Sequence, residues 1–589
     1  MKTCCQSFVE FIDLKSPTEL IDQIEDLVGQ GRYFEARAKA LSMLAGSDSL
    51  RIKQLYSLSM SKCGLPEAAM QYLEPVYKQF PDDPETAGIL GGIYKEIFIK
   101  TKNQRYANLS KDTYLKNFSA TKSFYTGINA ATMSAISGQS KQGQQIASEV
   151  IAQLEGSQGN FWELATLAEA FLISKDRIKA KEYYLKARDL ITTDWGKINT
   201  IYNQLWLLNH YVAVPKELLK IFNPPVIAAF VGHMMDHSSR VSSRFPSTIE
   251  NKVKEALVSA ITSLNVKIGY CSLACGGDIL FAEAIAETGG EVNIILPFLE
   301  SDFLQASVRF AGEQWVERFS QLVKTFPTTF ITQEPYDGYD DLFFLQSGII
   351  FGAAVLRSHA SHTKPHLFTV VSGLDLNRNE GGTRDTLNLW PYPENTMNIN
   401  PDNFNTVPRA ISPKGPARPK DQRKYKNRPV SYALLADFPD VHTAEREMIW
   451  KSLQSKIVIQ SPLPVGLVWN GDSVLAAYNS LAGAVELCKI LLAVVTRFHK
   501  KENIKISLHV GPVHLTPMEG EIGKRVEGSP IDILHLIQQY AAPGEVFASS
   551  QVASELALNI DDYAIDYVGK FSPEGADGGQ EIFKIEFSK

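Results

Sequence analysis

VSYALLADFPDV (residues 430–441) and LVWNGDSVLAAY (residues 467–478) each carry an apolar run broken by an aspartate, Asp437 and Asp472. The first run, 431–436, is short and closed by Pro439-Asp440, which predicts a central strand. The second pair of runs flanks Asn470-Gly471-Asp472, a tight-turn signal that predicts a hairpin. A strand end beside a hairpin tip brings two carboxylates within reach of one ion. Two hard oxygen ligands completed by nucleotide phosphates are a usual way to hold Mg²⁺. Asp is also common in turns, and on that ground both aspartates read as turn residues.

Working outward, an apolar helical segment (481–499) leads to IKISLHVGPV, then GKRVEGSPIDILHLIQQY and APGEVFASSQV. In this order the motifs resemble the class III nucleotidyl cyclase domain of adenylate and guanylate cyclases. Leu435-Ala436-Asp437-Phe438 matches that family's first strand end, and Gly471-Asp472 its hairpin. Leu508-His509-Val510-Gly511-Pro512 matches a later strand, and Ala542-Pro543-Gly544-Glu545-Val546 with Ser549 its closing motif. The resemblance spans about residues 429–587 and implies a ferredoxin-like α+β fold working as a homodimer on a nucleoside triphosphate. It implies a two-metal Mg²⁺ or Mn²⁺ site on Asp437 and Asp472, in which one metal helps activate a hydroxyl and the other neutralises the triphosphate.

The departures fall on the other half of that site. The family's helix supplies an Asn and an Arg to the transition state. Here Asp532 stands at the Asn position and Leu536 at the Arg position. A cation aimed at phosphoryl transfer changes rates by orders of magnitude, and leucine supplies none. The purine-reading Lys falls near Val468 and its acidic partner near Arg525, and Pro439 removes an N–H from the phosphate loop. Catalytic candidates are therefore Asp437, Asp472, Asp532 and Arg525, the last able to read a different base or replace the missing arginine. Two readings stand: a divergent cyclase, or a domain that keeps nucleotide binding or dimerisation without catalysis.

The chain has 589 residues, room for three or four domains with their own cores. A hydrophobic content of 44% and a charged content of 21% suit a globular protein, and a net charge of −6 argues against a nucleic-acid surface. No run of 18 apolar residues predicts a membrane span, and the N-terminus does not read as a signal peptide. Six scattered cysteines make neither a disulfide framework nor a zinc pattern, which fits a reducing cytoplasm.

Residues 1–222 read as helical, with amphipathic segments at 19–29, 33–44, 49–63 and 67–79. The pieces 31–37 and 162–184 resemble tetratricopeptide units. The pieces 90–95 and 125–131 are similar to the TRAF-binding region of apoptosis-signal-regulating kinases. Both resemblances imply a stacked solenoid that binds a protein partner.

Residues 223–390 alternate strands (226–231, 266–272, 292–296) with helices (248–264, 279–288), which predicts βαβ units and a parallel sheet. Ligands on such sheets bind beyond the carboxyl ends of the strands, and Gly276-Gly277 opening a helix is a ready anion site. The arrangement resembles the Rossmann-like SLOG superfamily, related to the cytokinin-activating LOG enzymes, whose members sense or process nucleotide-derived messengers. That implies Gly232, His233, Gly276, Gly277, Asp278 and Glu283 as contacts to a nucleotide-derived small molecule. Asp278-Ile279-Leu280 stands where the hydrolases carry a fuller motif, which favours sensing over hydrolysis. Capping and surface salt bridges are the alternative roles for these polar residues. Residues 391–428, rich in Pro, Asn, Lys and Arg, read as a linker before the cyclase-like domain at 429–589. The expected class is multidomain α plus α/β: solenoid, Rossmann-like sheet, and cyclase-like domain.

Overall fold

In this computed structural model several helices open on a side-chain cap or a first-turn proline, as at Pro66, Asp83 and Asn160. The structure describes residues 17–156, 159–191, 194–238, 240, 243–338, 340–373, 382–405, 429–439, 441–457, 459, 462–498, 504–517, 524–571 and 579–587. The chain divides into two compact units, the first made chiefly of residues up to 187 and the second of most of the remainder.

In the first unit the helices are α1 (Pro17–Gly29), α2 (Tyr33–Leu44), α3 (Leu50–Lys62), α4 (Pro66–Gln79) and α5 (Pro84–Thr101), followed by α6 (Gln104–Thr121), α7 (Phe124–Ile136), α8 (Ser140–Leu154), α9 (Phe161–Ile173) and α10 (Arg177–Asp189). From α1 to α9 each helix packs on the next in sequence, so apolar faces are covered by neighbours. Leu90, Ile93 and Ile97 of α5, for example, close over Ala69, Leu73 and Val76 of α4. Asp83 caps α5: its carboxylate accepts from the Thr86 N–H at 2.7 Å and the Thr86 hydroxyl at 2.6 Å, and Gln54 Nε2 donates to it at 2.8 Å. Replacing Asp83 by Ala is expected to destabilise this unit by about 1–2 kcal/mol in urea unfolding, the range of a lost N-cap.

The second unit begins with α11 (Trp195–Asn209) and α12 (Lys216–Ile221). Trp206 stacks on His362 with ring centroids 3.7 Å apart, and Asn203 Nδ2 donates to the Ala360 carbonyl at 3.3 Å. The expected domain edge at 222 therefore differs from the compact-unit edge near 187.

Next come β1 (Val226–Gly232), α13 (Glu250–Leu264), β2 (Val266–Cys271), α14 (Gly277–Glu287), β3 (Glu291–Leu296), α15 (Glu300–Ser307) and α16 (Glu313–Thr325), then β4 (Thr328–Phe330), α17 (Asp341–His359), β5 (His366–Val370), α18 (Gly382–Leu387) and β6 (Thr396–Asn398). They build a parallel six-stranded sheet in the order β4-β3-β2-β1-β5-β6, with helices between the strands. β6 corrects one expectation: the Pro/Asn-rich stretch read as linker from 391 is folded as far as residue 405. Asn398 secures it, with Oδ1 accepting from Thr369 Oγ1 at 2.7 Å and from the Val371 N–H at 3.1 Å. The rest of the expected linker, 406–428, lies outside the described residues.

Among the described residues α17 is long and apolar enough to cross a membrane, but 61% of that window is buried within the protein. The helix packs on β1 and β2 as core.

The remainder comprises β7 (Val430–Asp437), α19 (Thr443–Ile457), β8 (Gly466–Trp469), β9 (Ser473–Tyr478), α20 (Leu481–Phe498), β10 (Lys505–Pro512), β11 (His514–Pro517) and β12 (Lys524–Glu527), then α21 (Ser529–Tyr540), β13 (Val546–Ser549), α22 (Ser550–Ala557), β14 (Tyr563–Phe571) and β15 (Gln580–Phe587). A mixed seven-stranded sheet runs β14-β15-β13-β10-β7-β9-β8, so β7 is central, as its apolar run predicts.

The two sheets share one continuous hydrophobic core. The link is α17 against α22, where Gly352 sits so close that a Cβ would stand 1.7 Å from the Ser554 carbonyl oxygen. A polar contact reinforces it, Ser529 Oγ donating to Glu334 Oε1 at 2.9 Å, and within the mixed-sheet part Tyr432 donates to Glu555 on α22. Burial pushes the Glu555 carboxyl up to about 7, so it accepts from Tyr432 as a largely desolvated acid.

Candidate functional site

Antiparallel pairing positions the two aspartates. Asp437, the last residue of β7, lies opposite Ser473 of β9 and Lys505 of β10. Asp472 precedes Ser473 in the β8–β9 turn, where Gly471 takes φ +82°, a left-handed conformation that suits glycine. The Phe438 N–H donates to the Asp472 carbonyl at 2.9 Å, tying the end of β7 to the hairpin tip. Asp437 is half-buried and Asp472 exposed. Burial raises the Asp437 carboxyl above its usual range and the Asp472 charge adds to this, while Gln538, His535 and Lys505 pull against it. A carboxylate held at such a cost is one that a cation would relieve.

Among the described residues no group of three or more His, Cys, Asp or Glu side chains gathers to hold a metal. A pair of carboxylates still fits a divalent ion that draws its other ligands from phosphates and water.

Three side chains near this pair were not singled out from the sequence. Gln538 on α21 is buried, and its Nε2 donates to the Lys505 carbonyl at 2.9 Å. His535 lies one turn earlier on the same helix. Arg446 on α19 donates from Nη2 to the Phe438 carbonyl at 3.1 Å. Only the helical period, which puts residues four apart on one face, could have pointed to Arg446 beside Trp450.

The remaining candidates are dispersed. Asp532 lies exposed on α21, while Arg525 is 65% exposed on β12 and pairs with Glu527 at 2.9 Å. Val468 packs into a small apolar cluster with Leu475 and Val526 on one face of the mixed sheet. His509 is buried with Nδ1 2.8 Å from Ser549 Oγ, and burial drives its pKa down to about 3, so it stays neutral.

In the parallel-sheet part, β1 ends at Gly232 and His233 is buried beyond it, its Nε2 accepting from the Ser372 N–H at 3.1 Å. Gly276 takes φ +107°, and a Cβ there would come within 2.7 Å of the Met235 nitrogen, so the loop needs glycine. The Gly277 N–H donates to the His233 carbonyl at 3.1 Å. Asp278 is buried at the start of α14 and accepts from its own N–H and that of Ser272, so a carboxylate already sits at this helix end. Glu283 is held by Arg318 at 2.6 Å and Lys254 at 3.1 Å, and Arg318 lies over the buried Trp315 ring.

Burial raises the Asp278 carboxyl from 3.8 to about 7. The native state then keeps a proton that the unfolded chain has released. This group's contribution to stability therefore falls as pH rises from about 4 to about 7 and is flat outside that window. Asp278→Asn is expected to remove that slope, checked by urea midpoints at pH 5 and pH 8.

The helical unit has a sequence relative. Residues 32–134 match the family model described as Tetratricopeptide Repeats-Sensor. This sensor region takes in most of α2 to α7, within the helices expected to stack as a solenoid. Among solved structures, a thermophilic TPR protein from Thermus thermophilus is 13% identical over 32% of this chain and 100% of its own, with a TM-score of 0.28. The adenylyl cyclase CyaB from P. aeruginosa is 13% identical over 28% of this chain and 96% of its own, with a TM-score of 0.23. The guanylate cyclase domain of RhGC from Catenaria anguillulae, in complex with GTP, is 11% identical over 27% and 98%, with a TM-score of 0.23. No curated protein sequence matches the chain.

Proposed function

We propose that this is a nucleotide-dependent signalling protein whose C-terminal domain, residues 429–589, is a divergent class III cyclase domain that binds a nucleoside triphosphate through Mg²⁺ or Mn²⁺. The observation that carries this reading is the Asp437–Asp472 pair, the first half-buried at the end of an interior strand with its carboxyl raised by burial, the second exposed in the neighbouring turn. Asp437 and Asp472 would hold the metal, which when bound supplies charge neutralisation for the phosphates. The chain's own residues shape the site: Gln538 and Lys505 flank Asp437, and the Phe438 N–H fixes the turn.

Two features weigh toward nucleotide binding with little cyclisation by this chain alone: Leu536 and Asp532 on α21, and Arg525 engaged with Glu527. A second copy of the chain, or a complementary cyclase chain, would complete the site by dimerisation. The parallel-sheet part is the sensor for a nucleotide-derived ligand, at the loops bearing Gly232, His233, Gly276, Gly277 and Asp278. The tetratricopeptide sensor region binds a protein partner.

The test is to incubate the full chain with each of the four NTPs and Mn²⁺, following both bound nucleotide and cyclic product. Metal-dependent binding of an NTP supports the reading. A cyclic product assigns catalysis as well. Neither binding nor product overturns it.

A further inference from the structure

A triphosphate beside two aspartates needs positive charge beyond that of the metal, and α21 offers Asp532 and Leu536 instead. Lys505 faces Asp437 across the β7–β10 pair and so is partly spent on that carboxylate. Among the described residues Arg446 is a further cation at the end of β7. It stands in the first turn of α19, and its Nη2 rests on the carbonyl of Phe438, the residue directly after Asp437. The Nε–H of the same guanidinium is buried without a hydrogen-bond partner among the described residues. A buried N–H of a cation left without an acceptor is costly, and an anion is the partner that relieves it.

The helix is fixed where it can do this. Trp450, four residues on, stacks on Trp469 of β8 with centroids 4.9 Å apart, and Phe438 packs against the same Trp469 ring at 5.8 Å. Residues four apart lie on one helix face, so the stack that docks α19 on the hairpin also turns Arg446 toward the end of β7. Guanidinium forks match phosphate oxygens with two parallel N–H donors.

We propose that Arg446 is a phosphate-binding residue that supplies, from within the same chain, the triphosphate cation missing at Leu536. This rests on the metal–nucleotide reading of Asp437 and Asp472. It also makes the site selective for nucleotides with a polyphosphate, because a monophosphate bound through the metal would not need the second cation.

The experiment measures three affinities of the full chain: Mn²⁺ alone, ATP with Mn²⁺, and AMP with Mn²⁺, for the native protein, Arg446→Ala and Arg446→Lys. Arg446→Ala is expected to weaken ATP roughly 10- to 100-fold, the range of a lost charge-assisted hydrogen bond. Mn²⁺ and AMP affinities should stay unchanged, and Arg446→Lys should recover part of the loss. Equal loss for Mn²⁺, AMP and ATP would assign Arg446 to holding the Phe438 loop and overturn the proposal. Unchanged ATP affinity in Arg446→Ala would overturn it as well. Mn²⁺ bound normally by the native chain without any ATP binding would sink the phosphate role while leaving the metal pair intact. Absence of both Mn²⁺ binding and Mn²⁺-dependent ATP binding by the native chain would remove both readings together.

Discussion

Asp437→Ala and Asp472→Ala are each expected to abolish Mn²⁺-dependent nucleotide binding, a fall of at least about 100-fold. Outer-shell changes at metal sites already cost roughly 10- to 100-fold, and these two are the ligands themselves. Among the described residues no third His, Cys, Asp or Glu joins the pair in a group that could hold a metal, so nothing placed as a ligand takes over when one is removed. The two variants should differ in stability. Asp437 is half-buried and its charge is disfavoured in the native state, so Asp437→Ala removes a penalty along with the ligand. Asp472 is exposed in a turn, and its loss should leave unfolding nearly unchanged. Equilibrium dialysis of nucleotide with and without Mn²⁺, paired with urea unfolding, checks both statements. Retained binding in either variant would move the metal elsewhere.

The second large effect lies away from any ligand. Gly352→Ala places a methyl 1.7 Å from the Ser554 carbonyl oxygen, inside any permissible contact, and the obstacle is backbone rather than a side chain that could swing aside. Alanine is favoured over glycine in a helix by about 1 kcal/mol. Overpacking should nevertheless win, with a net loss of about 3 kcal/mol as α17 and α22 are forced apart. Gly348→Ala is the contrast. Its methyl meets the end of the Glu555 side chain at 3.1 Å, which can shift, so the change should stay within about 1 kcal/mol. Similar urea midpoints for the two variants would mean that the helix contact has slack.

Several strands of both sheets were readable because their signal is local. Buried runs such as 226–231 and 431–436 announce themselves, and the Asn470-Gly471-Asp472 turn fixes the hairpin. The nearness of Asp437 and Asp472 follows from that turn once β9 pairs antiparallel with β7. What the sequence did not show depends on packing between distant segments. β6 lies in a stretch whose prolines and asparagines argue for linker, and only the reach of Asn398 back to Thr369 and Val371 makes it a strand. A glycine inside α17 reads as a weak point in a helix, whereas its use is to let α22 approach. Arg446 looks like an ordinary surface charge until Phe438 and Trp469 give it a location.

The core common to both sheets also governs how the protein can be dissected. A fragment begun at residue 429, where the composition invites a cut, would strip α17 from α22 and leave the Gly352 seat facing water on one piece and Ser554 on the other. The Glu555 carboxyl, which Tyr432 contacts, would lose part of the burial that raises it. Such a fragment reports on an altered strand β7, the strand that ends in Asp437. An assay of the isolated domain and an assay of the whole chain are therefore measurements on two different molecules.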